Sequence, residues 1–319
     1  MRVVFMGTPE FAVPSLTKLH ARGHEIALVV TQPDRPAGRG LRLCCPPVKQ
    51  AALALGLPVC QLERVNCAEF VARLGEIVPE VVVVVAFGQI LCDEILAAPA
   101  KGAVNVHASL LPRYRGVAPI NWAIVNGETE TGVTTQFMAK KVDAGEVILS
   151  RKVAIGDRET AGELYKRLAE LGGDLLVETL DLVQKGAAPR AAQDPSQVSY
   201  ARKLKREDGE IDWTAPASRV FDRVRGMTPW PGAYTWFNGR SLGVLRADPG
   251  DADGSRGVAG EIVRLDRAKG IEVAAGEGTV WLLEVKPEGK CAMDAGAFAL
   301  GYRPTVGMRL GARPAPPEA

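Results

Sequence analysis

Val81-Val82-Val83-Val84-Val85-Ala86-Phe87-Gly88 is the stretch that decides the fold. Consecutive β-branched residues with no polar alternation describe a strand covered on both faces, the situation of a central strand in a parallel sheet. Parallel neighbours need long crossovers, and the chain on either side supplies them. Strands are expected at Arg2 to Met6, Ile26 to Thr31, Val59 to Leu62, Val81 to Ala86 and Ala103 to His107. Helices are expected between them at Pro14 to Arg22, Val48 to Leu55 and Glu69 to Ile77. This alternation predicts an α/β architecture, a mostly parallel sheet with helices on both faces.

Further along, Glu146 to Val153 reads as another strand. Glu159 to Lys185 then carries Leu164, Leu168, Leu171, Leu175, Thr179 and Leu182 at helical spacing, an amphipathic helix whose stripe is core packing. Gly186-Ala187-Ala188-Pro189 ends it, and the following residues, poor in large apolar side chains, read as a linker. Beyond it come short strands with Gly-rich turns at Ala233 to Phe237, Leu242 to Ala247, Gly260 to Val263, Ile271 to Ala274 and Thr279 to Val285, which predict a small β-barrel. The expected organisation is a catalytic domain over 1–188, a linker over 189–206, a barrel over 207–312 and a disordered Pro-rich tail over 313–319. A chain of 319 residues is long enough for these two cores.

A net charge of +2 leaves any nucleic-acid affinity to local patches. The cysteines, Cys44, Cys45, Cys60, Cys67, Cys92 and Cys291, form no Cys-x-x-Cys pair, and His20 and His24 do not partner them, so no metal site is expected. Phe5-Met6-Gly7-Thr8-Pro9 follows the first strand with one glycine where a dinucleotide fingerprint has three. That argues against a nicotinamide cofactor and leaves Thr8-Pro9 as a helix start. The chain opens directly on a strand, so no signal or transit peptide is expected and a bacterial-type cytoplasm is the expected location.

Val104-Asn105-Val106-His107-Ala108-Ser109-Leu110-Leu111-Pro112-Arg113-Tyr114-Arg115-Gly116 sets an amide and an imidazole two residues apart on a strand, hence on one face. A lone histidine is more often core than catalyst. At the C-terminal end of a parallel strand, however, His107 lies where open α/β sheets bind ligands. Gly132-Val133-Thr134-Thr135-Gln136-Phe137-Met138 runs on to Val142-Asp143-Ala144-Gly145, which offers a carboxylate on a turn. Asparagine, histidine and aspartate are the groups an acyl-type transfer to an amine uses: N–H donors for an oxyanion and a carboxylate to orient the imidazole and relay protons.

Together these two segments resemble the signature of the 10-formyltetrahydrofolate-dependent formyltransferases, with Asn105, His107 and Asp143 on the catalytic positions. The resemblance covers essentially the whole chain and implies a Rossmann-like catalytic domain followed by an OB-like barrel. Val84 to Leu91 resembles the family's folate-ring pocket, with Phe87, Gly88, Gln89, Ile90 and Leu91 as expected contacts. Ser109, Leu110, Leu111 and Pro112 are expected to close over the folate. Ala108 and Tyr114 stand where relatives often have Gly and Trp, and Lys140 where many carry an acid; none of these touches the three catalytic positions. Met227-Thr228-Pro229-Trp230-Pro231-Gly232-Ala233 resembles a stretch of the family's C-terminal domain, and Trp230, Trp236 and Trp281 are expected in barrel core and turn packing.

Gln32-Pro33-Asp34-Arg35-Pro36-Ala37-Gly38-Arg39-Gly40-Leu41-Arg42 is a long basic loop, too rich in Gly and Pro for a helix. It resembles the insertion by which methionyl-tRNA formyltransferases grip the acceptor end, with Arg39 on the key position and Arg35 and Arg42 beside it. Lys203, Lys205 and Arg206 form a second basic patch expected at the tRNA backbone. The resemblance therefore implies formyl transfer from 10-formyltetrahydrofolate to the methionine α-amino group of initiator Met-tRNA, by a monomer without a metal. An amino-sugar nucleotide formyltransferase, which can carry a very similar Asn126 to Thr134 segment, is the alternative. A non-catalytic tRNA-binding protein on a borrowed fold is a third reading, and the intact catalytic set argues against it.

Overall fold

The computed structural model describes residues 1–37, 42–251 and 257–312, with Ala37 and Arg42 described by backbone alone. Contacts divide the chain into two compact units. Unit 1 holds Met1–Pro119, Glu130–Ala154 and Tyr165–Arg202; unit 2 holds Ile120–Thr129, Ile155–Leu164 and the chain from Lys203 onward.

In chain order the first elements are β1 (Arg2–Gly7), α1 (Val13–Ala21), β2 (Glu25–Thr31), β3 (Arg35–Ala37), β4 (Arg42–Cys44), α2 (Pro47–Ala54), β5 (Val59–Gln61), α3 (Ala68–Ile77), β6 (Val81–Val85), α4 (Asp93–Ala97), β7 (Ala103–His107) and β8 (Arg115–Gly116). Then follow α5 (Pro119–Val125), β9 (Glu130–Phe137), β10 (Val147–Ala154), α6 (Ala161–Gln184) and β11 (Tyr200–Ala201). Seven strands form one sheet in the order β10-β9-β7-β6-β1-β2-β5. The five from β7 to β5 run parallel, while β9 pairs antiparallel with both β7 and β10. The strand of valines, β6, is fully buried in mid-sheet, as its composition requires.

Alternation along the strands sorts the two faces. Val4, Met6, Val82 and Val84 pack with Phe70 and Leu74 of α3 and Ile95 of α4. On the other face α6 lies close over the sheet: a Cβ on Gly172 would come 3.1 Å from Val106, and one on Gly173 3.1 Å from the Pro14 backbone of α1. Two adjacent glycines in mid-helix cost helix propensity, and here they admit that close approach. The helix starts at a reciprocal cap in which Glu163 N–H donates to the Thr160 hydroxyl and Thr160 N–H to the Glu163 carboxylate. It is tied to β9 by fully buried hydroxyls. Thr179 donates to the Leu175 carbonyl at 2.7 Å, so with one proton per hydroxyl it accepts from Thr135 at 2.7 Å.

Thr8 does not start a helix as expected. A short 3₁₀ turn, Glu10–Ala12, intervenes, and the Thr8 hydroxyl instead donates to the Phe87 carbonyl at 3.1 Å and accepts from Gln32 N–H at 3.3 Å. It thereby joins the loops that leave β1, β2 and β6. In the basic loop, which is not helical, the described strands β3 and β4 pair antiparallel. Its root is a polar knot: Lys49 Nζ donates to both Asp34 oxygens at 2.9 and 2.7 Å, and Gln61 Nε2 to Asp34 Oδ1 at 2.8 Å. Lys49 first, then Gln61, holds the Asp34 carboxyl below the usual carboxylate range, and Asp34 raises the Lys49 ammonium in return. The expected linker divides. Ala191 bridges Val147 and β11 pairs with β8 within unit 1, while unit 2 resumes at Lys203.

Unit 2 contains α7 (Ala217–Met227), β12 (Ala233–Phe237), β13 (Arg240–Pro249), β14 (Ile262–Asp266), β15 (Gly270–Ala274), β16 (Thr279–Pro287), β17 (Met293–Asp294) and α8 (Ala295–Tyr302). The strands form an antiparallel sheet in the order β12-β13-β16-β15-β14, with β17 on β16. In place of the expected small barrel stands this antiparallel sheet, and among the described residues no direct strand pairing joins β14 to β12. Between these two strands runs the segment 307–311, whose Gly307 N–H donates to the Ile262 carbonyl of β14 and whose Gly311 N–H donates to the Trp236 carbonyl of β12, both at 2.9 Å, while α7 packs against β13 and α8 against β15 and β16. Trp281 is buried and Trp236 donates to Glu210 at 3.1 Å, but Trp230, expected in packing, is 57% exposed because it sits in the Pro-flanked turn before β12. The tail at 313–319 lies outside the described residues.

Removing the Thr179 hydroxyl while keeping its shape, as in Thr179→Val, leaves the Thr135 O–H only a 3.5 Å contact to the Leu149 carbonyl. Loss of one buried hydrogen bond should cost about 1 kcal/mol, to be read from urea denaturation followed by near-ultraviolet dichroism. Asp34 gives a pH-dependent counterpart. Its folded value is depressed, so its contribution is present above the ordinary carboxylate range and disappears as pH falls through the depressed value. Protection factors of the β3 and β4 amides should hold at neutral pH, fall in acid, and be low at neutral pH in Asp34→Asn; equal protection in the variant would contradict the knot.

Candidate active site

β7 delivers the central pair. Val106 faces Gly172 of α6, so Asn105 and His107 at the alternate positions face the other side, where Asn105 pairs in register with Val84 of β6. Both lie at the carboxyl end of the parallel strands, beside the loop that leaves β6. Asn105 is half-buried, and among the described residues no protein group hydrogen-bonds its carboxamide. His107 is buried. Its Nε2 lies 2.9 Å from the Tyr114 carbonyl, an acceptor only, so Nε2 carries a proton and donates. Nδ1 then faces Asp143 Oδ1 at 3.6 Å. The expectation that an imidazole N–H reaches an oxyanion directly changes accordingly: one ring nitrogen is anchored on the backbone, and the other addresses the carboxylate.

The segment between His107 and Gly116 folds back because its polar atoms are satisfied locally. Ser109 Oγ donates to the Arg113 carbonyl at 2.6 Å, and Thr134 Oγ1 of β9 donates to the Ser109 carbonyl at 2.7 Å. Tyr114 N–H donates to Ser199 Oγ at 2.9 Å, which fixes the residue whose carbonyl holds His107. Tyr114 has φ 58°, a left-handed conformation uncommon for its type. Asp143 also has a left-handed φ, 51°, which aspartate tolerates better. Its side chain is 12% exposed. Oδ2 accepts from Gly116 N–H at 2.8 Å and Oδ1 from Gln136 Nε2 at 3.4 Å. The loop after β7 and the end of β9 thus meet on one carboxylate.

The residues expected around the folate divide. Phe87 and Leu91 are buried in the core cluster with α3 and α4. Gln89 uses its amide on its neighbours, accepting from Val65 N–H at 2.9 Å and donating to the Leu62 carbonyl at 3.2 Å. Gly88 has φ +88°, and Ile90 is 67% exposed. Ser109 is buried, and Leu110, Leu111 and Pro112 are half-buried on the loop that leaves β7. Of the basic residues, Arg35 is exposed and pairs with Glu63 at 2.8 Å. Arg42 lies in β4, and Arg39, with Gly38, Gly40 and Leu41, lies outside the described residues. Lys203, Lys205 and Arg206 are exposed at the start of unit 2. Among the described residues no group of His, Cys, Asp or Glu is placed to hold a metal ion, and no helix is long and apolar enough to cross a membrane.

Sequence reasoning passed over Gln136, Arg115 and Gln193. Gln136 sits inside a motif already singled out, three residues past Val133 on β9. Gln193 sits in the stretch read as linker, where nothing in composition marks it.

Residues 1–180 match the family model described as Formyl transferase, and residues 203–303 match Formyl transferase, C-terminal domain. The methionyl-tRNA formyltransferase of Moorella thermoacetica is 51% identical over 98% of this chain and 99% of its own length. That of Geobacter sulfurreducens is 47% identical over 98% and 97%. Among solved structures, the sugar 3N-formyl transferase WlaRD, in the presence of dTDP and 5-N-formyl-THF, superposes with a TM-score of 0.68 at 16% identity, covering 91% of this chain and 99% of that one. HypX from Aquifex aeolicus in complex with tetrahydrofolic acid gives 0.64 at 18% identity, covering 94% and 47%. These two share the fold of the catalytic sheet. Identity near one half along whole chains, with both family domains in order, goes further: this chain belongs to the methionyl-tRNA formyltransferase family.

Proposed function

We propose that this chain moves the formyl group of 10-formyltetrahydrofolate to the α-amino group of methionine on initiator Met-tRNA, with Asn105, His107 and Asp143 carrying the chemistry. One observation carries the reading of the site: a carboxamide with no hydrogen-bond partner among the described residues stands two residues before a buried histidine whose Nδ1 faces a carboxylate. When the amine attacks, a C–N bond forms and negative charge develops on the formyl oxygen, where the Asn105 N–H donors serve. The attacking nitrogen then loses a proton, and the C–N10 bond breaks as N10 gains one. His107, anchored through Nε2–H, exchanges protons at Nδ1, and Asp143 orients that nitrogen and balances its charge in the cationic form. Ser109, Leu110, Leu111 and Pro112 and the loop from Phe87 to Leu91 are assigned to the folate, with Phe87 and Leu91 acting through their backbone because their side chains are in the core.

Arg35, Arg39, Arg42, Lys203, Lys205 and Arg206 are assigned to tRNA phosphates, and a monomer in the cytoplasm suits an enzyme of translation initiation. The support is the near-half identity to named methionyl-tRNA formyltransferases. Supplying 10-formyltetrahydrofolate with charged initiator tRNA, glycinamide ribonucleotide or an amino-sugar nucleotide in separate reactions tests the acceptor. Formylation of the sugar nucleotide and not of the tRNA would overturn the proposal.

Losing one oxyanion donor costs roughly 10²–10³ in turnover. Asn105→Ala should lose at least that with an unchanged circular dichroism spectrum, and His107→Ala and Asp143→Asn should be similarly impaired. Near wild-type kcat in folded Asn105→Ala would remove it from the oxyanion. For the basic loop, tRNA affinity should fall with salt at a log–log slope of about −0.7 to −0.9 per neutralised phosphate. Arg39→Ala should flatten that slope and raise KM for charged tRNA, while equal slopes would return the loop to an ordinary surface role.

A further inference from the structure

The side chain of Gln193 has more to do than its place in a polar, helix-free stretch suggests. Its Nε2 lies 3.0 Å from the Asp143 carbonyl, 2.8 Å from the Gly145 carbonyl and 3.2 Å from Gln136 Oε1. Its Oε1 accepts from Arg115 Nε at 3.1 Å and Nη2 at 2.7 Å. The amide orientation is fixed by these partners: a guanidinium only donates and a carbonyl only accepts, so a flipped amide would oppose like groups on both sides. Arg115 is buried, 6% exposed, and its charge polarises the amide so that the N–H groups facing the turn are better donors.

From this geometry we infer that Gln193, oriented by Arg115, is the positioning residue that sets the Asp143 carboxylate against His107. Asp143 has a left-handed backbone on a short turn between β9 and β10, so its side-chain direction depends on what holds that turn. Gln193 grips the main chain on both sides of Ala144. It also meets Gln136, whose Oε1 accepts from Gly145 N–H at 3.0 Å and whose Nε2 reaches Asp143 Oδ1 at 3.4 Å. The turn and the carboxylate are therefore addressed by one connected set of hydrogen bonds, which ends on a buried cation. Neither Gln193 nor Arg115 is assigned to substrate; both act through Asp143. The inference rests on the reading of Asp143 as part of the catalytic set, and the test separates the two.

Gln193→Met keeps the length of the side chain and removes its polar atoms. Loss of an outer-shell orienting contact typically costs about 10–100-fold in activity. We expect a fall of that size in kcat, with KM for 10-formyltetrahydrofolate and for charged initiator tRNA within about twofold of wild type. The same substitution placed on Asp143→Asn should produce no further fall in kcat, because the group it positions is already disabled. Arg115→Lys, which keeps the charge and loses the two-pronged donor, should behave alike in a smaller degree, and it carries the cycle if Gln193→Met does not fold. A Gln193→Met loss that multiplies onto Asp143→Asn, or a raised KM with normal kcat, would overturn the positioning role while the catalytic reading stands. Near wild-type turnover by Asp143→Asn alone would overturn the catalytic reading and the positioning role with it.

Discussion

The Asp143 carboxylate, shared between the Gly116 N–H and His107 Nδ1, is the constraint that the rest of the site answers to. A half-buried anion has to be surrounded by donors, and these come from the loop after β7 and the far end of β9, while the stretch beyond α6 holds the main chain of the turn through Gln193. The sheet makes this possible by reversing direction once. β9 runs back beside β7 with Gln136 opposite Asn105 and Thr134 opposite His107, and the turn that follows it folds back so that Asp143 Oδ1 faces His107 Nδ1.

The sequence disclosed those parts whose folding is driven by apolar burial. The valines of β6 could belong only to a strand covered on both faces, and the leucine spacing of α6 could belong only to a helix with one buried stripe. The unit 2 strands were readable for the same reason, yet α7 and α8 were not. On α7 the buried face includes Asp222 and Arg225, which neutralise each other at 2.8 Å, so polar residues stand where an apolar stripe would be sought. On α8, Ala295-Gly296-Ala297-Phe298-Ala299-Leu300-Gly301-Tyr302 offers almost no polar contrast at all. The strand spacing of unit 2 is legible, but the segment 307–311, which hydrogen-bonds to both β14 and β12, has no strand pattern to mark it.

The proposed trio of Asn105, His107 and Asp143 is legible for a different reason, since residue type, spacing and a place at the end of a parallel strand carry chemical meaning. What stayed hidden were its supports. Gln193, Ser199 and Gln136 contribute hydrogen bonds, and glutamine or serine in a polar stretch has no pattern that distinguishes a solvated side chain from one gripping a turn. The stretch 189–206 reads as linker because it lacks large apolar side chains, yet its residues through Arg202 belong to unit 1, where Ala191 bridges Val147 and β11 pairs with β8.

The lateness of those supports in the sequence has a consequence for synthesis. His107 is held by the Tyr114 carbonyl, and Tyr114 by Ser199, so the nascent chain carries Asn105 and His107 through the synthesis of β9, β10 and α6 before the groups that align them exist. At about 5–20 residues per second, the roughly 90 residues between them take about 5–20 s to translate. During that interval the emerging sheet can collapse around its valines, but it cannot yet be an enzyme. Competence arrives in one step, close to the moment when the second domain begins to leave the ribosome.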